Sequence, residues 1–246
     1  MDRLVYVAMS GAKETLRAQA ANNHNLANAN TNGFRADLSA FQTQNVVGAG
    51  LPSRAYASDN TVSWDSSSGS LDATGRDLDV AIKGPGWIAV QASDGTEAYT
   101  RAGDLRVDPE GNLLTAAGNN VLGDNGPITV QPFTSLHIGT DGSVSIVPRG
   151  QSAATVSTVG RIKLVNPPNA QISRSSDGLF RAAPGVEVEA DASVHLVSGT
   201  LESSNVNIAE TMATMIELAR NYEVQVKAMK TAEDMAATSS KLLQSS

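Results

Sequence analysis

Apolar side chains change their spacing along this chain, and the changes divide it. From Leu201 to Ser246 there is no Gly or Pro, and apolar or small residues recur at alternating steps of four and three. Ile208, Met212, Met215, Ala219, Tyr222, Val226, Met229 and Ala236 fall on one seam closed by Leu243, although Glu233 and Ser240 interrupt it. A 3.5-residue period puts such residues on one stripe of a helix. From Ile208 to Leu243 that helix runs about 54 Å at 1.5 Å per residue. Asn205 and Asn207 stand at its start, and Glu210 follows Asn207 at capping-box spacing. So narrow a stripe on so long a rod predicts a partner helix, because a helix packed on its own domain usually carries a wider apolar face.

The partner lies at the other end of the chain. Leu4 to Ala27 is rich in Ala, Leu and Gln, without Pro and with Gly11 alone. Leu4, Ala8, Gly11, Thr15, Ala18, Asn22 and Asn25 form one four–three stripe; Val5, Ala8, Ala12, Gln19 and Leu26 form another. Both stripes are small and partly polar, so this helix is marginal alone, yet small residues let another helix come close. The run Asn28-Ala29-Asn30-Thr31-Asn32-Gly33 stops it, since Asn and Gly tolerate the left-handed backbone that ends helices. Phe34 and Arg35 follow as an aromatic and a cation just past a turn. With no pocket evident in so polar a neighbourhood, Phe34 is expected either to be received by an adjacent subunit or an adjacent part of the helical domain, or to cover its own helix end.

Residues 36–74 read as a connector: a helical continuation at Leu38 and Phe41, then Ser, Asn, Gly and Asp, with a short strand at Val62 and Trp64. From about Gly75 to Gly199 the period becomes two. Leu78, Val80 and Ile82 lead through Gly84-Pro85-Gly86 into Trp87-Ile88-Ala89-Val90, and Asp94-Gly95 marks a hairpin turn. Leu105, Val107, Leu113, Val121, Ile128, Val130, Leu136, Ile138, Val144 and Ile146 continue the alternation between turn residues, and Ile162, Leu164, Val186, Val188, Val194 and Leu196 finish it. This spacing predicts an independently stable antiparallel β domain. The fold class expected is α+β: long N- and C-terminal helices (1–35 and 201–246) forming a coiled-coil-like domain, a connector at 36–74, and a central antiparallel all-β domain at 75–200.

Composition narrows the function. The formal net charge of -7 argues against a nucleic-acid binder. The absence of Cys excludes disulfides and thiolate chemistry. No run of 18 apolar residues exists to suggest a spanning helix, and the start of the chain lacks the apolar core of a cleaved secretory signal. His24, His137 and His195 are scattered, without metal-ligand spacing, and no nucleophile elbow or phosphate loop occurs. The many Asp residues sit mostly at turns, where backbone chemistry favours them. Arg101 and Asp104, flanking Gly103, are expected to lock a turn. No catalytic, cofactor-binding or metal residue and no small-molecule substrate is therefore assigned.

Several stretches carry a resemblance. Asn25-Leu26-Ala27-Asn28, with Thr31 and Gly33-Phe34-Arg35, resembles the Asn-Leu-Ala-Asn…Thr-x-Gly-Phe-Lys signature of flagellar rod and hook proteins, Arg35 keeping the charge of the commoner Lys. Leu78-Asp79-Val80-Ala81-Ile82 through Trp87, then Tyr99-Thr100-Arg101-Ala102-Gly103, resemble the opening of that family's β domain, with Trp87-Ile88 where a Phe pair is usual. Asp108 with Gly111-Asn112-Leu113, and Val121-Leu122-Gly123, continue it; Gly199, Leu201-Glu202 and Ser204-Asn205-Val206 resemble the approach to the family's C-terminal helix. Length and the opening Met1-Asp2-Arg3-Leu4 look most like the family's proximal-rod member.

The resemblance implies a structural subunit of the bacterial flagellar basal-body rod. Its terminal helices would pack with copies of itself and with other rod proteins into a torque-transmitting tube, with a β domain at larger radius. It also implies export, unfolded and without signal cleavage, by the flagellar type III machinery to a rod crossing the periplasm. Leu26, Asn28, Phe34, Arg35, Ile208, Met212, Met215, Ala219, Tyr222, Val226 and Met229 are the expected assembly interface. From composition alone, a β-domain binding or adhesin module on a helical stalk is the competing reading, though such a stalk shows cleaner apolar seams; an enzyme ranks third.

Overall fold

The computed structural model describes residues 2–45, 55–151 and 155–244. The chain divides into two compact units: one made of 1–29, 36–65 and 206–246, the other of 30–35 and 66–205.

In the first unit, α1 (Asp2–Ala27) and α2 (Ile208–Gln244) pack together. Their pairing is antiparallel: Gly11 faces Gln225, where an added Cβ would stand 3.0 Å from the amide carbon, and buried Asn22 donates from Nδ2 to Thr211 O at 2.9 Å. The face that α1 buries carries Ala8, Ala12, Thr15, Ala18 and Asn22, almost the first of the two predicted stripes. Asn207 caps α2, its Oδ1 accepting from Ala209 N at 3.1 Å and Glu210 N at 3.3 Å. β1 (Asp37–Asn45) and β2 (Ala55–Trp64) complete the unit as an antiparallel hairpin, in register from Asp37↔Trp64 to Asn45↔Ala55 with an irregularity between Leu38 and Ala40.

This hairpin corrects the expected fold class. The unit that holds the terminal helices is not a coiled-coil-like helix pair; a two-stranded sheet packs on α1 and belongs to it. Leu38 and Phe41, expected to continue a helix, lie in β1. The short strand expected around Val62 and Trp64 is the end of β2, and its ladder supplies β1 with the partner that decides between helix and strand. Past the end of α1 Gly33 takes the positive φ expected there, whereas the asparagines do not: no described residue other than Gly has a positive φ, and Asn28 instead bonds a terminal helix carbonyl through its side chain.

The second unit is β throughout, apart from one short 3-10 turn at Asn169–Gln171. Its strands are β3 (Leu71–Ala73), β4 (Val80–Lys83), β5 (Trp87–Gln91), β6 (Glu97–Thr100), β7 (Leu105–Val107), β8 (Leu113–Thr115), β9 (Asn120–Gly123) and β10 (Gly126–Pro127). They continue as β11 (Phe133–Ile138), β12 (Ser143–Pro148), β13 (Ser157–Arg161), β14 (Leu164–Val165), β15 (Ile172–Arg174), β16 (Phe180–Ala182), β17 (His195–Ser198) and β18 (Thr200–Glu202). A nine-stranded sheet runs β15-β16-β6-β5-β9-β8-β7, with β10 on β9 and β14 on β5. β11-β12-β13 form a second sheet, and β17 pairs with β4 and β18 with β3. All the pairings are antiparallel.

One core fills this unit. Val80, Ile82, Ile88, Val90, Leu105, Leu113, Val121, Ile138, Val144, Ile162 and Leu196 are buried in it, each contributing about 1.5–3 kcal/mol over exposure. Nearly all stand at positions the period-two pattern picks out. Val186 and Val188, also picked out by that pattern, are absent from the core: past the turn at Pro184-Gly185 they lie outside any ladder, with Val186 N bonded to Ala183 O.

Candidate assembly surface

The signature segment near the N-terminus separates into two parts with different jobs. The first part ties the end of α1 to the start of β1. Asn25 pairs with Asp37 as a strand residue would, donating from Nδ2 to its carbonyl at 2.9 Å and accepting from its N–H on Oδ1 at 2.7 Å. His24 Nδ1 lies 2.6 Å from the Asp37 carboxylate. Asn28 donates from Nδ2 to His24 O at 2.9 Å, satisfying a terminal helix carbonyl. Leu26 and Asn28, expected at an assembly interface, are half-buried here.

The second part, Gly33-Phe34-Arg35, belongs to the β unit. Gly33 has φ +68 and donates its N–H to Glu202 O at 2.7 Å; a Cβ there would sit 2.3 Å from the carbonyl carbon of Arg101. Only Gly satisfies both the backbone angle and that approach. Phe34 stacks on the guanidinium of Arg174, 4.6 Å from the ring centroid. Arg174 in turn covers Phe180 at 4.9 Å, and Phe180 meets Trp87 with centroids 4.4 Å apart. Within the single chain the half-buried ring packs on Arg174 of its own unit.

Arg35 is not at the surface either. Its Nη2 lies 2.8 Å from Glu202 Oε1, Nη1 donates to Ser67 O, and the side chain is 2% exposed against 0% for Glu202. Glu202 Oε1 also accepts from Gly69 N at 3.1 Å, and Oε2 faces Arg101 Nε at 3.1 Å. That second contact is an ion pair without hydrogen-bond alignment. Arg101 gives its other donors mainly to backbone, Nη1 to Gly84 O at 2.8 Å and Gly86 O at 2.9 Å and Nη2 to Gly84 O at 2.7 Å, with Nη2 also reaching Ser68 Oγ at 3.3 Å. Burial pushes Arg101 down to about 10; Glu202 opposes that shift and Arg35 adds to it. It stays charged at neutral pH. The expected Arg101–Asp104 turn lock is therefore corrected, since the Arg101 side chain reaches Glu202 while Asp104 is held through its backbone, in an isolated antiparallel bridge with Asp79. Burial raises the Asp104 carboxyl, and Asp79 adds to the rise.

Along α2 the predicted seam splits. Met215, Ala219, Tyr222 and Met229 are half-buried, whereas Ile208, Met212 and Val226 are exposed at 43%, 51% and 40%. The side chains of Ala236 and Leu243, like that of Leu4 on α1, lie outside the described residues. The inward face runs through Thr211, Met215, Leu218, Tyr222, Gln225, Met229 and Ala232. Large apolar groups point the other way: Ile208, Met212 and Ile216 recur every four residues, and α1 exposes Tyr6, Met9 and Leu16. Sequence reading missed Ile216 on this stripe, along with Glu202, Arg101 and Arg174 in the buried cluster. A strict 3.5 period hides Ile216, and an acidic residue beside Leu201 looks like surface.

The described residues contain no cluster of three or more His, Asp or Glu able to hold a metal ion. A groove of about 980 Å³ in the β unit carries Glu97 with Lys163 at 2.7 Å and Arg181 with Asp94 at 3.0 Å, so these charges are already paired. No described helix is long and apolar enough to cross a membrane.

Comparison with known proteins gives this surface its context. Residues 81–146 match the "Flagellar hook protein FlgE/F/G D1 domain" and residues 197–242 match the "Flagellar basal body rod FlgEFG protein C-terminal" family. The chain is 42% identical to the flagellar basal-body rod protein FlgF of Escherichia coli (strain K12), over 99% of both chains. It is equally identical to FlgF of Salmonella typhimurium, again over 99% of each. The basal-body rod protein FlgG of Bacillus subtilis is 30% identical over 96% of this chain and 97% of its own. With helices, β domain and flanking signatures all inside these alignments, the chain belongs to the family of flagellar basal-body rod proteins, as a FlgF-like structural subunit of the rod.

Proposed function

We propose that the subunit is built into the rod through the outward faces of α1 and α2, against copies of itself and other rod proteins, in the proximal part of the rod. The observation that carries this reading is the apolar stripe Ile208, Met212 and Ile216, together with Tyr6, Met9 and Leu16, left uncovered in the single chain. Large side chains recurring every four residues on one flank of a long helix suit a neighbouring helix. The half-buried Met215, Ala219, Tyr222 and Met229 hold the subunit's own helix pair, and so shape that surface from behind. A contact repeated from subunit to subunit without closing generates a helical tube, the form in which a rod carries torque.

The reading contains no catalytic step, nucleic acid or small-molecule substrate. Export by the flagellar type III machinery, and residence where the rod crosses the periplasm, are part of the same proposal, which the similarity to flagellar rod proteins supports. Met212→Asp tests the interface. Because Met212 is exposed in the single chain, the variant should fold and its β unit should melt normally, while swimming is lost and the subunit is missing from isolated basal bodies. Normal swimming with normal incorporation would sink the proposal.

A further inference from the structure

Four separate stretches of chain meet on Glu202. Arg35 comes from the first crossing into the β unit, Gly69 from the second, Arg101 from the turn after β6, and Glu202 closes β18. Main-chain contacts join the same stretches: Gly33 N to Glu202 O at 2.7 Å, Ser203 N to Ser70 O at 2.8 Å, and Asn205 N to Phe34 O at 3.3 Å. They are packed backbone against backbone. A Cβ on Gly69 would stand 2.0 Å from Ser203 O, as one on Gly33 would stand 2.3 Å from the Arg101 carbonyl carbon.

The charges add to these contacts. Two guanidiniums, with side chains 2% and 3% exposed, share one carboxylate that is itself fully buried. Removing the Glu202 charge would take from two buried guanidiniums the carboxylate they share, and loss of one partner of a buried ion pair is strongly unfavourable. We infer that Glu202 is a closing residue: it joins residues 33–35, 67–70, 101–103 and 202–205 into one cooperative element that opens and closes as a whole. This part of the β unit is then completed from its C-terminal side, only after 202–205 has arrived, whatever the protein later assembles into. The inference concerns the single chain and does not rest on the rod interface proposed above.

Hydrogen exchange followed by mass spectrometry on the full-length protein tests it, comparing the native chain with Glu202→Gln. Loss of the buried charge should speed exchange about ten- to a hundredfold, by the same factor in peptides covering 33–35, 67–70, 101–103 and 202–205. Peptides of β12 should be unchanged. A rise confined to residues beside 202, or different factors in the four stretches, would overturn the inference. If Glu202→Gln fails to fold, Glu202→Asp, which keeps the charge on a shorter stem, is read by the same criterion: a smaller but shared factor supports closure, and unshared or absent effects refute it.

Discussion

The two units solve the same packing problem in opposite ways. In the β unit the large side chains are inside: Ile88, Val90, Leu113, Val121 and Val144 are wholly buried, and what remains outside is mostly turn and charge. In the helix pair the interior is Ala8, Ala12, Ala18, Thr15 and Asn22, while Ile208, Met212, Ile216, Tyr6 and Met9 face outward. A small-residue interior lets the helices approach closely, as Gly11 does at Gln225. It leaves little apolar area to stabilise the pair, because the free energy follows the area removed from water. The β unit buries its large apolar side chains within the single chain, whereas the helix pair leaves several of its own exposed, on the surface proposed above for a neighbour.

The largest expected contrast is a pair of truncations. Leu113→Ala should lower the stability of the β unit by about 2–5 kcal/mol, a buried Leu being lost into a cavity. Ile216→Ala should change the monomer by less than about 0.5 kcal/mol, as at an ordinary surface position, while reducing incorporation into the rod. Denaturant melts of both variants check this; a destabilised Ile216→Ala monomer would erase the distinction. Gly103→Ala should come next, at about 1–3 kcal/mol for a side chain forced into a packed site, since its Cβ would stand 1.7 Å from Val80 O. An unchanged melt would show that this backbone contact relaxes freely.

What the sequence conveyed follows the same contrast. Alternation from Val80 to Ile146 finds the β core because a strand's inward positions are fixed by the pleat, and each inward residue is large. Asn207 is legible as a cap because its work is local. The β1–β2 hairpin is hidden, since Asp37–Asn45 has neither clean period and is decided by a partner across residues 46–54. The buried cluster is hidden for a related reason. Arg35, Arg101 and Glu202 are ordinary surface types that become internal only when distant stretches converge. On α2 the predicted Met215, Tyr222 and Met229 do lie on the inward face, but Thr211, Gln225 and Ala232, which an apolar seam does not pick out, share it with them.

Two smaller tests sharpen the comparison. Asn207→Ala should weaken the start of α2 by about 0.5–2 kcal/mol, seen as faster hydrogen exchange in its first turn with the β unit unaffected; unchanged exchange would show the cap contributes nothing. Asp104→Asn addresses the β unit through pH. A carboxyl raised in the fold favours folding while protonated; that contribution is present below the unfolded value of about 3.9 and is lost as pH rises through the folded value. Because burial raises Asp104, the variant should melt higher than the native protein at neutral pH, with the gain disappearing in acid. A lower melting temperature at neutral pH would contradict the assignment.

The absence of native cysteine permits the most direct test of the claim that the outward helix face is reserved for a neighbour. A single Ile216→Cys substitution can be labelled with a maleimide in the purified monomer and in isolated basal bodies. Rapid labelling of the monomer and protection in basal bodies is the predicted result. Equally rapid labelling in both would show that the face stays open in the rod, and would contradict the account.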